Sequence, residues 1–174
     1  MTKSLWAVVL TACLGSTSAR ATELPGPTVP EGLGVNIHFT DPSPGEMEML
    51  AQAGFRWVRM DFIWNRTERE KGVYDFSAWD RLVTALAAHH IRAVFILDYC
   101  SPFYDEGLSP SSDEGRAAFA RWAAAGVRHF RNRGILWEMY NEPNLSQFWK
   151  PKADVQQYIQ LALATAKAIR EAEP

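Results

Sequence analysis

The sequence predicts an α/β fold, the N-terminal half of a (β/α)8 barrel with four βα units, truncated after the fourth helix. Three observations carry that expectation. Short apolar strands alternate four times with amphipathic helices between Leu33 and Glu171, the pattern of a parallel sheet covered by helices. No Gly-rich phosphate turn follows the first strand, where the chain reads Ile37-His38-Phe39-Thr40-Asp41-Pro42, so an open nucleotide-binding sheet has little support. Polar residues gather instead at the C-terminal ends of the strands: His38, Arg59 with Asp61, Asp98 with Tyr99, and Asn141 with Glu142. In a closed barrel that rim is where sites are built.

Each element has its own local reason. The first strand is expected over 34–39, followed by a helix over 43–54 with Pro44 at its start, Met47, Leu50 and Ala51 on one face, and Gly54 as its stop. In the second strand, 57–62, alternation sends Val58, Met60 and Phe62 toward the helices and Arg59 into the barrel. The second helix opens at Ser77 with Asp80 as a weak capping box, and aligns Trp79, Leu82, Val83, Leu86 and Ala87. Residues 92–98 form a nearly continuous apolar strand, as expected where both faces of a sheet are covered. The third helix starts near Ser112 with Asp113 and Glu114 in its first turn, and ends at Arg131, Arg133 and Gly134, so its charges complement the helix dipole. Phe119, Trp122, Ala123, Val127 and Phe130 form its buried stripe, and Gly126 on that stripe predicts a close approach of helix to sheet. The fourth strand is read over 135–141 and the fourth helix over 153–171.

Residues 1–21 have the form of an export signal. Lys3 gives a positive start, 5–14 is apolar, and Ala19-Arg20-Ala21 is an A-x-A cleavage site. A second reading stays open: Leu10-Thr11-Ala12-Cys13 has the form of a lipoprotein box, with Cys13 acylated and the protein held at a membrane face. Both readings place the protein in the periplasm or outside the cell, and both remove Cys13 as a disulfide partner for Cys100. Residues 22–32, with three prolines, read as a linker into a domain over 33–174. No later stretch reaches the ~18 to 20 apolar residues of a transmembrane helix.

Eighteen basic and 20 acidic residues are interspersed, which argues against nucleic acid or an anionic membrane as partner. No grouping of His, Cys and Asp has zinc-site spacing, so neither metal nor other cofactor is expected. His89, His90 and His129 fall on or beside helices away from the rim and read as surface or packing residues. Seven Trp exceed what a small core usually needs, so some of them are candidate platforms for a flat ligand, with core and loop packing the alternative for each.

The most informative stretch is Trp137-Glu138-Met139-Tyr140-Asn141-Glu142-Pro143-Asn144. Pro143 disfavours a helical backbone at Glu142, which is expected to stand extended at the strand mouth. Trp137, Tyr140 and Trp149 are expected to wall Glu142 in a water-poor setting, as a carboxyl acting as a general acid requires. On residue chemistry alone, an ordinary exposed loop glutamate is an equal alternative.

Asn141-Glu142-Pro143 resembles the acid/base motif of glycoside hydrolase clan A, and the continuation through Phe148-Trp149 is similar to family 39, with family 5 a near neighbour. Trp64, Glu68, Gly72, Tyr74 and Phe76 match a W-x3-E-x3-G-x-Y-x-F stretch common in these enzymes after strand two. The resemblance covers residues 34–174. It implies a retaining hydrolase of β-linked poly- or oligosaccharide, with Glu142 as general acid and then base, Asn141 on the sugar 2-hydroxyl and Arg59 bracing the nucleophile. An ion pair of Arg59 with Glu138 or Asp61 is the structural alternative. His38, Asp98 and Tyr99 are candidates to bind sugar hydroxyls or to support those that do; Trp149 and Trp64 are candidates to stack on sugar.

The resemblance also places the second carboxylate on a seventh strand, whereas only four are read here. The expectation is therefore a fragment whose missing partner is the C-terminal half-barrel, poorly soluble or dimeric and inactive alone. A non-catalytic carbohydrate-binding half-barrel is the alternative.

Overall fold

The computed structural model describes residues 31–172, so the readings of the leader and of most of the linker lie outside the described residues. In chain order the elements are β1 (Gly34–Asn36), α1 (Glu46–Gln52), β2 (Trp57–Ile63), α2 (Trp64–Thr67), β3 (Glu68–Glu70), β4 (Val73–Tyr74), α3 (Ser77–Ala88), β5 (Arg92–Asp98), α4 (Asp113–His129), β6 (Ile135–Met139) and α5 (Val155–Ala172). Strands β1, β2, β5 and β6 form one sheet in that order, every pair parallel. These are the four βα units expected.

Period-two alternation sorts the two faces of this sheet. Val58, Met60 and Phe62 of β2 and Ala93, Phe95 and Leu97 of β5 are buried, while Arg59 and Asp61 between them are only half-buried. Phe62 is the hub of the helix-facing core: its ring lies 5.2 to 5.9 Å from those of Phe76, Trp79, Phe95, Trp122, Phe130 and Trp137. This aromatic block fixes how α4 sits on the sheet. Gly126 lies where α4 crosses Phe62, and a Cβ there would stand 2.8 Å from the Phe62 Cε1, so the expected close approach is real. Ser112 caps α4, its hydroxyl accepting from the Gly115 N–H at 2.9 Å.

Other local expectations are corrected. α1 begins at Glu46, not Ser43, because Gly45 takes a left-handed φ of 87° that only glycine adopts freely. Ser77 is not a cap: its N–H donates to Asp75 at 2.9 Å, and the Asp80 carboxylate is instead engaged by His129 and Arg133 at 2.8 and 3.1 Å. Ala87, expected on the buried stripe of α3, is exposed.

A further element was not anticipated. β3 and β4 pair antiparallel as a small hairpin outside the main sheet. Glu68 is buried within it at 1% exposure, its Oε1 accepting from the Gly72 N–H at 2.6 Å and from the Tyr104 hydroxyl at 3.2 Å. Gly72 turns the hairpin at a φ of 80°. Trp64 is 1% exposed and stacks between Tyr104 and Trp122, at 5.2 and 5.8 Å. It has no face for a sugar, so its expected stacking role is corrected to a core role. Of the Trp64, Glu68, Gly72, Tyr74 and Phe76 pattern, Trp64, Glu68 and Phe76 are thus buried, Tyr74 is half-buried and Gly72 is the exposed turn of the hairpin.

Candidate active site

The rim cluster follows from strand register. Arg59 pairs with Val94 and Val94 with Leu136, while Asp61 pairs with Ile96 and Ile96 with Glu138. Glu138 therefore sits one layer nearer the rim than Arg59 and two strands away. Arg59 crosses the intervening β5 to reach it: Nε donates to Glu138 Oε2 at 2.7 Å and Nη2 to Oε1 at 2.6 Å. Nη2 also donates to Asn141 Oδ1 at 3.0 Å. Hydrogen bonding to Glu138 is the main cause that raises the Arg59 pKa above its ordinary value, against the opposing effect of burial. The ion pair left open from the sequence is present, and Glu138 rather than Asp61 is the bidentate partner.

At the end of β5, Asp98 is fully buried and neither of its carboxyl oxygens meets a donor. Burial first, then the neighbouring Asp61 carboxylate, pushes its pKa up to about 9. Tyr99 follows, half-buried, stacked on Phe148 at 5.7 Å and edge-on to Tyr140 at 5.6 Å. Its phenol is also raised, by burial and then by Asp98 and Asp61, with the Asn141 side chain acting against them. Asn141 is thus held through its Oδ1 by Arg59 and lies beside Tyr99.

The loops that follow β5 and β6 are joined. The Tyr140 hydroxyl lies 3.0 Å from the Ser109 Oγ and donates to the Phe148 carbonyl at 3.2 Å, and Ser109 Oγ accepts from the Lys150 N–H at 2.8 Å. Tyr140 and Ser109 are both buried.

Glu142 is at the rim and exposed, but its backbone is not extended as expected: φ is +44°, and that of Tyr140 is +61°. The steric bias from Pro143 is overridden by the turn, in which the Leu145 N–H donates to the Glu142 carbonyl at 3.0 Å. Nor do the expected aromatic walls face Glu142. Trp137 packs on Phe62, Phe95 and Phe130, Tyr140 points into the inter-loop contact, and Trp149 is fully buried. Trp149 is thus corrected from a sugar platform to a core residue: the loop folds back, its ring packs 5.1 Å from Tyr140, and its Nε1 donates to Gln157 at 3.1 Å. Aromatic content gives no signal that separates a buried ring from a rim ring.

The structure thus brings Arg59, Asp98, Tyr99 and Asn141 into one cluster, leaves Glu142 beside it, and sets His38 exposed just beyond β1. Sequence reasoning missed the proximity of Asp61 to Asp98; the signal for it was that Asp61 shares the inward parity of Arg59.

A family model for cellulase, glycosyl hydrolase family 5, matches residues 31–174. A β-xylosidase of Geobacillus stearothermophilus is 32% identical over 124 residues, which cover 60% of this chain and 23% of that protein. A family 39 glycoside hydrolase from Bacteroides cellulosilyticus WH2 has a similar structure, with a TM-score of 0.66 at 22% identity, over 80% of this chain and 29% of that one. An endoglucanase from Pseudomonas stutzeri, solved with cellobiose, is similar with a TM-score of 0.59 at 22% identity, over 75% of this chain and 39% of that one. The chain therefore spans less than two fifths of the length of each of these relatives, and the likeness confirms its four units as part of a glycoside hydrolase barrel.

Proposed function

This chain belongs to glycosyl hydrolase family 5, the cellulase family, and from that membership we propose that it carries the acid/base side of a retaining hydrolase of β-linked poly- or oligosaccharide. The observation that carries the reading is the Arg59 fork, which fixes Asn141 directly before Glu142 at the mouth of β6. The names of the relatives, a β-xylosidase and an endoglucanase among them, support a β-linked substrate.

In this mechanism the protonated Glu142 gives its proton to the glycosidic oxygen as the bond to the anomeric carbon breaks, while a second carboxylate attacks that carbon. The ionised Glu142 then takes a proton from water as the water oxygen displaces the enzyme carboxylate, which restores both groups. Asn141 donates its side-chain amide to the sugar 2-hydroxyl, since Arg59 already occupies its oxygen. The second carboxylate is assigned to a further strand of the barrel rather than to the described rim, where Arg59 holds Glu138 and Asp98 is closed to water.

The test uses the protein carried to the length of its relatives. Glu142→Gln should lower turnover of substrates with poor leaving groups by ~10²- to 10⁴-fold, with smaller losses on activated aryl glycosides. Unchanged rates would refute the assignment. Saturable oligosaccharide binding with no turnover by the unaltered protein would favour a non-catalytic carbohydrate-binding module. Export is part of the same proposal, and the N-terminal sequence of the mature protein checks it.

A further inference from the structure

Asp98 is a buried group that the mechanism above does not use. Its side chain is closed to water, and neither oxygen has a donor. An ionised carboxylate in that position would lack every interaction that makes a buried charge tolerable. Its neighbour is the Asp61 carboxyl, reached from the adjacent strand β2. Two carboxyl groups in contact are both acceptors unless one carries a proton, and a shared proton turns their repulsion into a hydrogen bond.

We propose that Asp98 is a carboxylic acid donating its proton to the Asp61 carboxylate, and that this one shared proton keeps the Arg59 fork on Glu138 and Asn141. The pair then carries a single negative charge. The charged and titratable groups around it are Arg59 of β2, Glu138 of β6, Tyr99 next in the chain and Tyr140 past β6. Loss of the proton leaves two negative charges beside Arg59, whose guanidinium is then drawn from Glu138 toward Asp61. Asn141 loses its anchor in that step. Asp98 is thus a positioning residue that acts through Asp61 and Arg59; its part in turnover rests on the hydrolase reading, whereas the shared proton does not.

Aspartate labelled with ¹³C at Cγ, titrated in the unaltered chain, reads the proton directly. One aspartate signal should inflect near pH 9, with the Arg59 side-chain ¹⁵N signals moving through the same inflection. Asp98→Asn should abolish both, because its amide donates to Asp61 without a titratable proton. All aspartates titrating in the ordinary carboxylate range would overturn the proposal, as would Arg59 signals blind to the inflection. Abolition of the inflection by added Ca²⁺ or Mg²⁺, with a rise in Tm, would assign the two oxygens to a cation and also overturn it. If Asp98→Asn does not fold, the titration of the unaltered chain decides alone. None of these readouts involves turnover, so a failed hydrolase reading leaves them interpretable. In an active enzyme, Asp98→Asn should also move the alkaline limb of the kcat/KM profile to higher pH.

Discussion

Arg59 and Glu138 lie two strands apart in the sheet and are joined across β5 by two parallel hydrogen bonds of 2.7 and 2.6 Å. The geometry is the strong bidentate form of an Arg–carboxylate pair. Both side chains keep about a third of their surface exposed, so solvent screens much of the attraction. Glu138→Gln should lower stability by only about 1 kcal/mol. A double-mutant cycle with Arg59→Gln, measured by urea unfolding, should return a coupling of similar size, and a value near zero would mean that the fork adds nothing to the fold. The larger effect is expected on Asn141, which loses a fixed neighbour.

The pH dependence of stability follows from Asp98. Its folded-state value of about 9 stands above the ordinary 3.8, so the unfolded chain releases a proton that the folded chain keeps. Stability from this group is complete below the unfolded value and is lost as pH rises toward the folded one. Asp98→Asn should therefore gain on the unaltered protein between about pH 4 and pH 9, by up to ~1 kcal/mol per pH unit. Denaturation midpoints across that range check this, and parallel profiles would count against it.

Gly126→Ala sets helix propensity against packing. Alanine gains up to ~1 kcal/mol as a helix former. The added Cβ would meet the Phe62 Cε1 at 2.8 Å, and Phe62 is hemmed in by other rings and cannot swing aside. The net expectation is a loss of about 1 to 3 kcal/mol. A higher Tm for the variant would mean that α4 can lift from the sheet at little cost.

Glu68→Ala should cost about 2 to 4 kcal/mol, because it strands the Gly72 N–H and the Tyr104 hydroxyl and leaves a hole beside Tyr104. Trp149→Ala belongs to the same class, at about 3 to 5 kcal/mol, since the ring is fully buried. If either variant kept its stability and lost only carbohydrate affinity, the core assignment of that residue would fail.

These cases mark how far the sequence was legible. Residues 92–98 could be read as a continuous apolar run, and the stripe from Phe119 to Phe130 because burial on a helix imposes a period of 3.6, and neither signal needs knowledge of neighbours. Gly126 stood out for the same reason, as a poor helix former on a buried face. The hairpin of β3 and β4 could not be read, because strands of three and two residues have no period to detect. Trp149 and Trp64 were misplaced because one chemical property serves both a core and a sugar platform. At the site, parity put Arg59 inside the barrel, yet its choice of Glu138 over Asp61 depends on a one-layer offset that only the register reveals. The turn at Glu142 was misread because the bias from Pro143 was weighed alone, without the turn that the Leu145 N–H closes on the Glu142 carbonyl, and the link of Tyr140 to Ser109, 31 residues apart, leaves no local signal.

That link has a consequence for how such proteins diverge. Ser109 contacts Tyr140 by its hydroxyl and Lys150 by both hydroxyl and backbone, so the segments 99–112 and 140–154 are clasped at a shared knot. A recombinant that inherited one segment from one ancestor and the other from a second would break the knot even if each segment folded well where it came from. The two segments are expected to travel as a single heritable block, and attempts to transplant specificity between relatives should move them together.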